Sequence, residues 1–195
     1  MLLTSFALYV SALAGFACGW RLKRDEAKVH RTCLGACISM LCAFILCRNG
    51  LSMEYIPLLF CLSGCSTADL IAFEIPDGFV LLGLLSGLVV RSLKAGILPV
   101  LLWGLLGLLV GVALVLIGDS LYGDWSFGMG DAKALGMLGI WLGSDWLDMF
   151  FAAVIGLGLW GLLVVLKNGL EARREVTPFF PFLAVASVSA LAGLW

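Results

Sequence analysis

The chain has 195 residues, 62% hydrophobic and only 13% charged, with 12 Lys+Arg against 13 Asp+Glu for a net charge of −1 and a mean hydropathy of +1.10. A water-soluble domain carries about 25% charge and roughly half apolar residues, so this composition excludes one. The apolar runs approach the ~20 residues that cross a ~30 Å hydrocarbon core, which predicts an all-α, polytopic transmembrane helix bundle with the lipid bilayer as its main solvent. The balanced charge and the lack of a long basic tract argue against nucleic acid as a partner.

In chain order, the apolar runs fall at 2–20, 32–47, 54–72, 78–90, 96–118, 131–143, 147–166 and 178–194. They predict about eight spans, or six or seven if the short runs 78–90 and 131–143 are re-entrant. No Lys or Arg precedes the run Met1 to Trp20, whereas Arg21, Lys23 and Arg24 follow it. This is the reverse of a cleaved signal peptide, so the run reads as a retained first span. On alternation, Arg21, Lys23, Arg24, Lys28, Arg31, Lys133, Lys167, Arg173 and Arg174 share one side, against Arg48, Arg91 and Lys94 on the other. The positive-inside rule places the first group in the cytoplasm and both termini outside.

Gly15/Gly19 and Gly107/Gly111 form small-xxx-small steps, and Gly156, Gly158 and Gly161 put further gaps in the seventh span, predicting close helix approach. The seven cysteines, Cys18, Cys33, Cys37, Cys42, Cys47, Cys61 and Cys65, form no C-x-x-C pair and read as small packing residues. His30 is the only histidine and lies among basic residues, leaving little material for a histidine-based catalytic or metal site. No metal or other cofactor is expected.

Acids are costly near lipid, so each one there needs a reason. Asp69 lies in apolar sequence near the end of the third span, and Pro76 then turns the chain, so Glu74 and Asp77 read as turn and interface polars. Asp131 follows Gly128-Met129-Gly130 at the start of the sixth run, with Lys133 beyond it. The two glycines permit close approach of a helix or an extended substrate to Asp131, although an Asp N-cap after a glycine loop is also a common arrangement. Alternation puts Asp69 and Asp131 on the same face at similar depth. Two carboxylates at close range suit aspartyl proteolysis: the ionised member activates water and the protonated member polarises the scissile carbonyl. The helix ends alone favour an ionised Asp131 and a protonated Asp69. The connector Asp119 to Phe127 reads either as a movable flap or as an interfacial aromatic belt.

The two motifs, Asp69 followed by Ile75-Pro76-Asp77 and Gly128-Met129-Gly130-Asp131 followed by Lys133, resemble the type IV prepilin leader peptidases, GxGD-type aspartyl proteases of the bacterial inner membrane. Thr177-Pro178-Phe179-Phe180-Pro181-Phe182-Leu183 resembles the family's Pro-Phe-Gly-Pro-Phe-Leu segment, with Phe180 in place of the glycine. The likeness covers roughly residues 54–195 of what reads as a single membrane peptidase domain. It implies that Asp69 and Asp131 are catalytic, that Gly128 and Gly130 shape the second motif, and that Pro76, Asp77 and Lys133 support it. It also implies a prepilin or pseudopilin substrate, cut after a glycine on the cytoplasmic side. Larger members carry a cytoplasmic domain with paired C-x-x-C motifs between the first two spans, associated with N-methylation of the product. Here that connector is only Arg21 to Arg31 and has no cysteine, so the resemblance implies peptidase activity in a compact form and leaves methylation open. The competing reading is a proton- or cation-coupled transporter, for which intramembrane acids are also typical.

Overall fold

The computed structural model describes residues 53–122, 127–169 and 177–193. These form α1 (Ile56–Ala72), α2 (Asp77–Ala95), α3 (Ile97–Tyr122), α4 (Met129–Leu142), α5 (Trp146–Asn168) and α6 (Phe180–Leu191), with 3₁₀ turns at Met53–Tyr55 and Gly143–Asp145 and no strand among the described residues. In lipid every backbone polar group must be satisfied within the protein, and a helix does this locally. The breaks are set by residue type. Pro76 is extended just before α2, and Gly96, Gly143 and Gly169 end α2, α4 and α5 at φ of 81°, 62° and 83°, a region open to glycine at little cost.

The helices follow the expected runs from the third to the eighth, and the fourth run grows past its polar edges to Asp77–Ala95. The count of eight spans is not supported. Runs 2–20 and 32–47 lie outside the described residues, as do Gly15, Gly19 and the basic residues 21–31. Three helical stretches are long and apolar enough to cross a membrane: Asp77–Ala95, Ile97–Leu121 and Met129–Asn168, the last divided by Gly143 into α4 and α5. The helices α1 and α6 are shorter, at 17 and 12 residues. At ~1.5 Å per residue both fall short of a ~30 Å core.

Burial runs opposite to length. The short helices α1 and α4 are buried along most of their residues, while the long helices α2, α3 and α5 form an outer wall, with at most 28% of a span-length window buried. α4 packs chiefly on α3 and also on α2 and α6, α1 packs on α2 and α6, and α5 packs on α6. Leu62, Leu135, Leu138, Trp141, Trp146 and Leu183 belong to one continuous core. Buried indole N–H groups need acceptors, and Trp141 Nε1 donates to the Gly83 carbonyl at 2.8 Å while Trp146 Nε1 donates to that of Leu135 at 3.0 Å.

Lipid supplies no hydrophobic drive between helices, so close packing has to hold them together. The step Gly107/Gly111 does this against α4: a Cβ on Gly111 would lie 2.5 Å from the Ala132 Cα, and one on Gly107 would strike the Leu135 carbonyl. Gly158 and Gly161, expected to make room for a neighbouring helix, have nothing within 4 Å, and of that trio only Gly156 faces a neighbour, Phe182. Cys61 and Cys65 form no disulfide and are buried in the core. The other five cysteines lie outside the described residues.

Candidate active site

Asp69 occupies the last turn of α1 and is only 6% exposed. The helix closes one turn later at Phe73, whose N–H donates to the Asp69 carbonyl at 3.0 Å and whose φ of 55° is a left-handed conformation unusual for a bulky residue. The Asp69 carboxylate is held from another helix. Its Oδ2 accepts the Phe180 backbone N–H at 2.8 Å, in a buried bond spanning 111 residues of sequence, and the Phe179 N–H lies close enough to favour its charge. Amides in the first turn of a helix have no intrahelical partner, so Asp69 satisfies the open end of α6.

Asp131 sits in the first turn of α4, half-buried, with its N–H bonded to the Gly128 carbonyl at 3.1 Å. The N-cap is Gly128, so Asp131 is not the cap but the third helical residue, with its carboxylate near the Gly128 N–H. Oδ1 of Asp131 is buried with no hydrogen-bond partner. Asp69 and Asp131 interact electrostatically, so the structure brings the two motifs together. The two glycines play unequal parts. A Cβ on Gly130 would lie 3.1 Å from that of Ile75, so the missing side chain admits the Ile75-Pro76 turn, whereas Gly128 is exposed and its nearest neighbour would be Asp131 Oδ2 at 3.6 Å. Phe127, just before the second motif, meets Phe179 edge-on with ring centroids 5.3 Å apart.

Pro76 precedes α2 and Asp77 begins it, exposed, with Asp77 Oδ1 2.7 Å from Lys133 Nζ. This pair ties the start of α2 to the start of α4. One end of the bundle therefore gathers the end of α1 and the starts of α2, α4 and α6. The opposite end holds Arg91 against the Tyr55 hydroxyl at 3.4 Å and Lys94 paired with Glu54. Glu74 and Asp119 are exposed, and Asp124 lies outside the described residues together with the rest of 123–126 in its connector. Among the described residues no cluster of three or more His, Cys, Asp or Glu is arranged to hold a metal ion.

The amides of Phe179 and Phe180 are the part of the site that the sequence did not mark as such. The signal available was weak: prolines at 178 and 181 announce a helix start, but not what its free amides meet.

A model of the type IV leader peptidase family matches residues 56–166, more than half of the chain, with Asp69 and Asp131 both inside the match. The chain belongs to this family. It is therefore a membrane protease of the type IV leader peptidase kind. No curated protein and no solved structure matches it. In this leader peptidase the segment that supplies the Phe180 amide lies beyond the matched residues.

Proposed function

We propose that this leader peptidase removes the short basic leader of a type IV prepilin or pseudopilin, cutting after a glycine at the cytoplasmic face of a bacterial inner membrane, with Asp69 and Asp131 as its catalytic pair. The observation that carries the reading is the meeting of two acids from separate motifs at one end of the bundle, Asp69 buried and Asp131 half-buried, close enough to interact electrostatically. Two carboxylates so placed share one proton and titrate as a unit. The ionised member takes a proton from water as the water oxygen bonds to the scissile carbonyl carbon, and the protonated member gives its proton to the carbonyl oxygen. The resulting gem-diol collapses, the C–N bond breaks, the amine leaves with a proton, and the pair returns to one shared proton. Gly128 leaves the approach to Asp131 clear of side chain, while Pro76, Asp77, Lys133 and Gly130 fix the α2 and α4 starts around it.

The cytoplasmic placement rests on the basic bias across the chain, to which Lys133 contributes at the start of α4, the same end as the pair. The whole chain is read as one peptidase domain, with N-methylation left outside the proposal.

The test is co-expression with a glycine-containing prepilin at matched membrane levels. Wild type is expected to shift the prepilin's mobility, and Asp69→Asn and Asp131→Asn each to abolish the shift. Cleavage should follow a bell-shaped pH profile, since both extremes remove the one-proton state. Persistent cleavage by either variant would remove that residue from the pair, and mass spectrometry of the product reads its new N-terminus, methylated or free.

A further inference from the structure

We propose that the main-chain N–H of Phe180 is a positioning group for the catalytic pair, holding Asp69 as the ionised base and leaving the shared proton on Asp131. The inference rests on the peptidase reading above and adds to it the direction in which protons move. It also reverses the order that the helix ends alone suggest, because it counts the donors that α6 presents to Asp69.

Donors to a carboxylate favour its charged form. Asp69 has the Phe180 N–H at 2.8 Å in a buried bond and the Phe179 N–H beside it, both at the positive end of α6. The Asp131 carboxylate is faced by the Gly128 N–H alone, and its buried Oδ1 has no hydrogen-bond partner, so its charge is less well supported than that of Asp69. The donor cannot drift, because Phe180 and Leu183 are fully buried and Phe179 is braced by the Phe127 ring. Other charges do not substitute for it. From α4, Asp131 faces Asp69, and Lys133 is paired with Asp77 of α2. Glu74 is exposed in the α1–α2 connector, and α6 carries no ionisable side chain. In this arrangement Asp69 takes the water proton and Asp131 protonates the carbonyl oxygen. On collapse of the gem-diol Asp69 passes its proton to the departing nitrogen and Asp131 recovers one from a diol hydroxyl.

The test deletes the donor and keeps every side chain, at the cost of a weaker Phe179 carbonyl acceptor for the Phe182 and Leu183 N–H groups. Full-length protein made by cell-free synthesis into nanodiscs carries phenyllactate, the α-hydroxy analogue of phenylalanine, at position 180, which replaces N–H by oxygen and keeps the ring. The control carries the hydroxy analogue of leucine at position 183, losing only the 3.4 Å bond to the Phe179 carbonyl. Expected are an about tenfold lower kcat than the control, a KM within about twofold, and an acid limb of the pH profile moved upward by about one pH unit. A rate equal to the control, or a lower rate with an unmoved acid limb, overturns the proposal. Should the ester protein fail to fold, labelling of wild type with a hydrophobic carbodiimide decides, since that reagent adds to protonated carboxyls. Mass spectrometry is expected to find Asp131 modified in preference to Asp69, and equal or opposite labelling overturns the proposal. Failure of wild type to cut any prepilin would sink the peptidase reading instead, and the labelling would still report where the proton sits.

Discussion

Replacing Gly111 by alanine places a methyl group where α3 and α4 touch backbone to backbone. The added Cβ would lie 2.5 Å from the Ala132 Cα, whereas ordinary contact begins near 3.4 Å, so the helices must part by about 0.9 Å at that level. No rotamer change relieves the clash, because the obstacle is main chain. Overpacking of this kind costs about 1–3 kcal/mol. Ala132 is the residue after Asp131, so the displacement falls on the proposed catalytic pair, and a misplacement of ~1 Å lowers turnover by about a hundredfold. The expected outcome for Gly111→Ala is a stable membrane protein with a lowered unfolding midpoint and roughly a hundredfold slower prepilin cleavage. Unfolding is read by thiol labelling on heating, with Cys61 and Cys65 buried in the folded core. Gly158→Ala is the matched control, since its Cβ would meet nothing within 4 Å, and it should hold or gain up to about 1 kcal/mol from helix propensity. Equal activity and equal midpoints for the two variants would refute the reasoning.

Trp141→Phe removes the indole donor to the Gly83 carbonyl and part of a fully buried ring, and should cost about 2 kcal/mol in the same thiol assay. Phe73→Gly relieves a left-handed residue that is 41% exposed, so the unfolding midpoint should rise with a gain of about 1 kcal/mol; a fall would show that the aromatic side chain contributes more than the strain costs. Lys133→Gln breaks an ion pair whose side chains are 44% and 77% exposed and should change stability by less than about 1 kcal/mol. Added salt should leave the variant's midpoint unmoved while slightly lowering that of wild type.

Hydropathy located the described helices because lipid makes the polar breaks sharp: Pro76 and Gly169 fall between apolar runs, and Gly96 and Gly143 at the edges of two of them. The span count was less legible, since an apolar helix buried in protein and one facing lipid look alike in composition, as α1 and α3 do. For the site, the alternation of apolar runs and the family likeness placed Asp69 and Asp131 on the same face. They could not show that Asp131 lies three residues inside its helix, with Gly128 as the cap. Nor could any periodicity reveal that the donors to Asp69 come from 111 residues downstream. The protonation order drawn from helix ends considered each acid on its own helix, whereas the order proposed above also counts the α6 amide that donates to Asp69. Glycine spacing was informative at Gly107 and Gly111 but not at Gly158 and Gly161, because the same pattern marks a close contact only where another helix is present.

The placement of short helices inside and long ones outside divides the chain by what selection acts on. Hydrocarbon scarcely distinguishes one aliphatic side chain from another, so Leu98, Leu101, Leu102, Leu105 and Leu109 on the outer face of α3 need only be apolar. Substitutions there are free to follow the thickness and fluidity of the host's bilayer. A change on α1 or α4 is felt by the acids directly. The outer wall can therefore diverge with its membrane from one lineage to the next while the chemistry it surrounds stays fixed.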